Sequence, residues 1–265
     1  MNALRALADR FPRLKAVAKG VLAPLRAGAT PRDYVEMQSY EVVTESRRLR
    51  GAWQDVSIPS RQRDLVEKQL AAFRRREAVD NFDVMQASLR DLSLLAGPAS
   101  LLEVGCSSGY YSEVIARVSP GFAYSGCDYS PAFIEMARRL YPDLSFEVED
   151  ATALHYDDDS FDVVVSGCCL LHIPDYRAAV AETARVARTH VIFHRTPVVI
   201  GQPEKIYRKR AYGVETIEIH FNEPEFIALV QSNGLELIAT HTLTETIAKG
   251  KGRAVRTYVC RKVAA

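Results

Sequence analysis

The sequence predicts an α/β fold: a mostly parallel sheet closed by a carboxyl-terminal antiparallel hairpin and preceded by a helical cap. Three observations carry that prediction. From Leu101 onward, short apolar runs alternate with helix-length segments, the order that builds parallel strands joined by crossover helices. Two of those runs, Leu101 to Val104 and Phe122 to Asp128, hold a carboxylate at or beside their last residue and pass straight into a turn. Leu235 to Ile247 and Arg253 to Val263 are long, strand-like and joined through Ala248-Lys249-Gly250-Lys251-Gly252, which reads as a hairpin.

At the amino terminus, Leu4, Leu7, Phe11, Leu14, Ala18, Val21 and Leu25 recur at spacings of three and four, while Arg5, Arg10, Arg13, Lys15, Lys19 and Arg26 carry charge that only Asp9 opposes. This stripe predicts a basic amphipathic helix within residues 1–28, kinked or restarted at Pro12. It suits packing on the protein or on a second subunit, peripheral contact with an anionic membrane surface, or targeting. Helices are next predicted over Asp33 to Arg50, Ser60 to Arg76 and Asn81 to Leu95, with the break at residues 51–59 holding the only tryptophan, Trp53. The chain therefore divides into a helical region, residues 1–97, and a sheet domain, residues 98–265. In the second part the strands are Leu101 to Val104, Phe122 to Asp128, Leu144 to Glu149, Phe161 to Ser166 and Val191 to His194. The helices between them run from Glu113 to Val118, from Pro131 to Leu140 and from Pro174 to Ala187, and Asn222 caps a further one from Glu223 to Ser232. Residues 195–222 are too many for a simple connection and read as an inserted substrate loop, basic and aromatic from Lys205 to Gly213 and alternating from Val214 to Phe221. That composition suits an anionic or sugar-like ligand, or equally a solvated charge run with an edge hairpin.

The turn after the first of these strands, Gly105-Cys106-Ser107-Ser108-Gly109, admits three readings. As a dinucleotide-binding turn it lacks the middle glycine, where Ser107 stands, and Glu103 would repel a pyrophosphate. As a nucleophile elbow it matches G-x-S-x-G, but such a serine follows several strands and a glycine-rich oxyanion loop, and the region before Leu101 reads as helical. As a turn that bends around an amino acid and a ribose, it benefits from Glu103, because a ligand bearing an ammonium and a sulfonium is cationic. Asp128 lies 25 residues beyond Glu103 at a strand end, where a carboxylate accepts both hydroxyl hydrogens of a ribose. Asp150, followed by Ala151, ends the next strand and is placed to accept an adenine amino hydrogen.

With Glu103, Gly105, Gly109, Asp128, the Asp150-Ala151 pair and the strand Phe161-Asp162-Val163-Val164 in view, the chain resembles the class I S-adenosylmethionine (SAM)-dependent methyltransferases from about Ser100 to Val191. Ser107 in the middle-glycine position, and the missing Pro-Gly-Gly turn within Arg185 to Val191, are its two departures. The resemblance implies a Rossmann-like seven-stranded sheet, SAM as methyl donor and S-adenosylhomocysteine (SAH) as product. It implies cofactor contacts from Glu103, Gly105, Ser107, Gly109, Asp128, Tyr129, Asp150, Ala151 and Ser166, with Ser166 to His172 near the transferred methyl. It also implies that the early helices form a lid, for which Trp53 and Tyr40 are candidate aromatics, although core packing would equally occupy them.

Methyl transfer needs a base only when the acceptor must lose a proton, and His172, His194 and His220 are the candidates, all near strand ends. The expected activity is methylation of a small-molecule or glycan-like acceptor, with oxygen favoured. The alternatives are a protein or RNA methyltransferase and a non-catalytic SAM-binding scaffold subunit. A chain of 265 residues with 48% apolar content can bury a full core, and its net charge of +1 argues against nucleic acid as a partner. No apolar run approaches the roughly 18 residues of a membrane span. The five cysteines are odd in number and fall mostly in strands, which favours reduced thiols and a cytoplasmic setting, while adjacent Cys168 and Cys169 lack metal-ligand spacing, so no metal is expected.

Overall fold

The computed structural model describes residues 33–92 and 98–263, so the predicted amphipathic helix of residues 1–28 lies outside the described residues. Ten strands form one connected sheet. Its centre is the predicted parallel array: β2 (Ala99–Val104), β3 (Phe122–Asp128), β4 (Ser145–Val148), β5 (Phe161–Gly167) and β6 (Ala187–Ile200), in the order β4-β3-β2-β5-β6. On the far side of β6 lies β10 (Lys251–Lys262), antiparallel to it, and then β9 (Leu235–Ala248), antiparallel to β10. These seven strands are the Rossmann-like sheet, with β10 alone reversed.

Alternation along each strand divides the core into two layers. Leu102, Val104, Val164, Val191 and Phe193 face one side, where α1 (Ser39–Gly51), α6 (Tyr176–Val186) and α7 (Glu223–Ser232) add Leu49, Val180 and Phe226. Leu101, Val163, Val165 and Ile192 face the other, covered by α2 (Ile58–Arg74), α3 (Asp80–Arg90), α4 (Tyr111–Val118) and α5 (Pro131–Leu140) through Phe73, Phe82, Val114 and Ile134. Residues 58–92 thus share a core with the sheet. Asn222 caps α7 by accepting from the Glu225 N–H at 3.1 Å, as its position predicts.

Three strands exceed the expected seven, and they correct two sequence-based assignments. The fifth core strand does not stop at His194: β6 pairs with β5 only as far as His194, then runs on past the carboxyl end of β5 to Ile200. There Val198 and Val199 pair with Phe221 and Asn222 of β8 (Val214–Asn222). The supposed loop of residues 195–222 is therefore mostly strand, because β7 (Lys205–Ala211) and β8 form a tight hairpin. Tyr212 (φ +51°) and Gly213 (φ +83°) make its two-residue turn, and positive φ at both positions matches the right-handed twist of the flanking strands. The second correction concerns residues 34–36, predicted helical. They form β1 (Tyr34–Glu36), antiparallel to β7, and helix α1 starts only at Ser39. β8, β7 and β1 together make a small roof over the carboxyl edge of the central sheet.

Candidate functional site

The site is built where β2, β3 and β5 end. Gly105 (φ +76°) and Gly109 (φ +74°) bracket the turn in the left-handed region that glycine tolerates, and Ser107 between them also has a positive φ of 48°. A Cβ on Gly105 would stand 2.4 Å from Cβ of Cys169, so the turn and the segment after β5 touch without room for a side chain. Ser107 holds its conformation because its N–H donates to Asp128 Oδ2 at 2.9 Å, and the Ser130 N–H donates to Oδ1 at 2.9 Å. Asp128 thereby ties the turn after β2 to the start of α5. Ser130 does not cap α5 with its hydroxyl; its Oγ and that of Ser108 are buried without partners.

Glu103 is 1% exposed. Its Oε2 accepts from the Tyr124 hydroxyl at 2.5 Å, and its Oε1 lies so near Gly167 that a Cβ there would sit 2.6 Å away. Burial raises its carboxyl to about 8, and the Asp128 charge adds to the rise while the Tyr124 bond opposes it. Burial also raises Asp128, held back to about 6 by the two backbone N–H bonds.

At the other end of the site, Asp150 Oδ1 accepts from Thr152 N (2.9 Å), Thr152 Oγ1 (2.7 Å) and Arg50 Nη2 (2.6 Å). Burial would raise Asp150, but these donors outweigh it and hold the carboxyl below its usual value. The Arg50 guanidinium, from the end of α1, lies 4.6 Å above the Tyr129 ring. Ala151 is buried beside Asp150, and the buried Ser166 hydroxyl contacts the Cys169 sulfur at 3.3 Å.

The three histidines separate sharply. His172, in the short 3-10 turn after β5, donates Nδ1–H to the Ile217 carbonyl of β8 at 2.7 Å, which leaves Nε2 carrying the lone pair in the neutral ring. Trp53 lies against it with ring centroids 4.5 Å apart and is 6.0 Å from Tyr212. Burial lowers His172 to about 4, so it is neutral near pH 7. His194, in contrast, is 1% exposed and spends both ring nitrogens, Nε2 on the Tyr111 hydroxyl (2.8 Å) and Nδ1 on Thr257 Oγ1 (3.0 Å). The candidacy of His194 as a base is corrected by that geometry, since neither nitrogen is left for an acceptor. His220 belongs to a network within the roof, where its Nε2 donates to Glu218 Oε1 at 3.0 Å and its Nδ1 is buried without a partner.

The centre of that network is Glu218, which the sequence reading missed. Lys209 Nζ pairs with Glu218 Oε2, and the Tyr34 hydroxyl donates to Oε1 at 3.2 Å. Burial would raise Glu218, yet the His220 bond and the Lys209 ammonium bring it to about 2, so it stays ionised. A carboxylate at a buried position of the alternating run Val214 to Phe221 was its only sequence signal. Of the proposed lid aromatics, Trp53 reaches the site, while Tyr40 is 70% exposed and takes no part. Among the described residues no cluster of His, Cys, Asp or Glu suits a metal ion, and no helix is long and apolar enough to cross a membrane.

His194 and His172 make folding sensitive to acid. Burial holds both folded-state values below the usual histidine range, so below about pH 6.5 the unfolded chain binds more protons and stability is lost as pH falls. Replacing His194 by alanine is expected to cost about 2–3 kcal/mol at pH 7, because Tyr111 and Thr257 lose their buried partner. It should also flatten the fall in melting temperature between pH 7 and 5, which thermal denaturation at the two pH values checks.

The sheet order is that of a Rossmann-like methyltransferase fold. Residues 102–193 match the family model described as "Methyltransferase domain". Over 100 residues the chain is 36% identical to a 2-methyl-6-phytyl-1,4-hydroquinone methyltransferase of Synechocystis sp., covering 37% of this chain and 31% of that protein. A longer match, 27% identical over 201 residues and covering 72% of each chain, is to a probable S-adenosylmethionine-dependent methyltransferase of Mycolicibacterium smegmatis. The chain spans only about a third of the length of the first curated relatives it matches. Among solved structures, the Burkholderia thailandensis 1,6-didemethyltoxoflavin-N1-methyltransferase shares the fold at a TM-score of 0.50 and 18% identity, over 85% of this chain and 87% of that one.

Proposed function

We propose that the chain transfers a methyl group from SAM to a small-molecule acceptor, with oxygen as the favoured target. The observation that carries this reading is the single bond network linking the turn, Asp128 and α5 at the carboxyl ends of adjacent parallel strands. The fit to the donor rests on three features. Gly105 and Gly109, both with positive φ, hold the tight turn that follows Glu103, a buried carboxyl suited to a cationic amino-acid end. Each Asp128 oxygen, having accepted one N–H, keeps a lone pair for a ribose hydroxyl. Asp150 keeps Oδ2 for an exocyclic amine, with the Tyr129 ring beside it.

When bound, SAM supplies a methyl carbon on a sulfonium leaving group, so the protein's own work is alignment, exclusion of water and management of one proton. Trp53, His172 and Tyr212 line the acceptor side beneath the roof. His172 Nε2 is the group we assign to take the acceptor hydroxyl proton, because Nδ1–H is pinned by the Ile217 carbonyl and the ring is neutral. Small-molecule acceptors are supported by the printed names of relatives, which include a demethylmenaquinone methyltransferase of Thermus thermophilus. Five free thiols, three of them buried, support a reducing, cytoplasmic setting.

Incubation with methyl-labelled SAM and a fractionated small-molecule extract tests the reading, with Asp128→Ala as the blank. Label is expected in a low-mass product and on oxygen. Label on protein or RNA, or none despite tight SAH binding, would overturn it.

A further inference from the structure

Arg195 has no task in the reading above, yet its placement is costly. It follows His194 where β6 leaves β5, with φ +55°, a left-handed backbone that a non-glycine residue adopts only when its surroundings impose it. The surroundings are visible. Its N–H donates to Thr257 Oγ1 at 3.2 Å, and its carbonyl faces the Cys168 thiol at 3.8 Å. The side chain is turned inward, and its Nε is buried without a hydrogen-bond partner. The groups acting on it most strongly are the Cys168 thiol and the phenols of Tyr111 and Tyr110, none of them a carboxylate.

Charge balance in the same chamber sharpens the point. Lys209, the other partly buried cation here, is neutralised by Glu218. Arg195 has no counter-ion among the described residues. Tyr212 lies within its field, and Tyr212 in turn neighbours Trp53, whose indole Nε1 is likewise buried without an acceptor. The guanidinium meets the Tyr111 hydroxyl, but its Nε and the Trp53 Nε1 are two donors near one group of aromatic rings that no acceptor oxygen of the described residues satisfies. An unpaired buried donor is destabilising, more so when charged, so an anion bound there offsets that cost. The planar guanidinium fork suits a carboxylate, or an ionised phenol, better than a neutral group.

We propose that Arg195 anchors an anionic oxygen of a planar acceptor that lies among Trp53, Tyr110 and Tyr212, so that the acceptor class is an aromatic or conjugated acid. The acid's role as methyl acceptor rests on the methyl-transfer reading; its binding to Arg195 does not.

The chain's single tryptophan is Trp53, so its fluorescence reports this chamber alone. Titrating the full chain, with SAH present, with 4-hydroxybenzoate, 4-hydroxycinnamate and 2-naphthoate and with the matching amides is the test. At least one acid is expected to give a saturable change, with its amide at least 10-fold weaker. Arg195→Gln should abolish that preference and Arg195→Lys should keep part of it, both checked for folding by thermal melt. Equal binding of acid and amide to the unsubstituted protein, silence from every acid, or full preference in a folded Arg195→Gln protein would each overturn the proposal. Calorimetry with SAH on the same proteins separates the two readings. SAH failing to bind while acids bind sinks methyl transfer and leaves the anion site standing.

Discussion

Replacing Asp128 by alanine is expected to weaken SAH binding on the order of 1,000-fold, measured by calorimetry at pH 7.5. The carboxylate stands at the end of β3 and accepts two backbone N–H bonds, from Ser107 and from Ser130. Its remaining lone pairs are those assigned to the ribose. Hydrogen bonds to a charged group contribute about 1.5–3 kcal/mol each, and losing the two from a ribose alone accounts for the expected factor. The turn adds to the loss, since Ser107 has a positive φ that the Asp128 bond helps to hold. Asp128→Asn separates the two contributions. The amide keeps one acceptor oxygen but presents an N–H₂ to one of the two backbone N–H groups, so it should fall between alanine and the native residue. A lowered melting temperature together with intact SAH affinity in Asp128→Ala would show that this carboxylate serves only the turn.

How much of this was legible beforehand depended on sequence distance. Glu103, Gly105, Ser107, Gly109 and Asp128 were readable because each belongs to a local strand-turn-helix unit, and the parallel order of those units places their ends on one rim. The roof was not readable. Tyr34 pairs with Lys209, and no local pattern announces a three-residue strand whose partner lies so far along the chain. Residues 33–50 carry helical periodicity that masks it. The continuation of β6 was hidden by Arg195, Thr196 and Pro197, which interrupt the apolar run, although β10 pairs with it from Thr196 to Ile200. Arg50 and Asp150 meet across 100 residues through the placement of α1, a tertiary fact. The histidines illustrate the same limit differently. His172 follows the end of β5 and His220 lies near the end of β8, but His194 falls mid-strand in β6, and which nitrogen is engaged depends on neighbours such as Thr257, 63 residues from His194.

Glu103→Gln is expected to reverse the protein's response to alkaline pH. The folded protein holds this carboxyl near 8 by burying it, against an ordinary value near 4.5 in the unfolded chain. The folded state therefore binds the extra proton between those values. Stability contributed by the neutral carboxyl is complete below about pH 4.5 and is lost as pH rises through 8, a loss on the order of 5 kcal/mol by linkage. Glutamine has no proton to lose, keeps an acceptor for Tyr124, and should raise the melting temperature at pH 8 while leaving it almost unchanged at pH 5. Binding should move the opposite way. A cationic amino-acid end beside Glu103 favours the carboxylate, so SAM binding at pH 7 should release close to one proton, visible as different calorimetric heats in phosphate and Tris buffers. In Glu103→Gln that release should vanish and affinity should drop about 10- to 100-fold, the worth of one charge-assisted contact. Equal heats in both buffers for the unsubstituted protein would mean that Glu103 keeps its proton when ligand binds. It would then serve as a buried hydrogen-bonding partner of Tyr124, with no counter-ion role toward the donor.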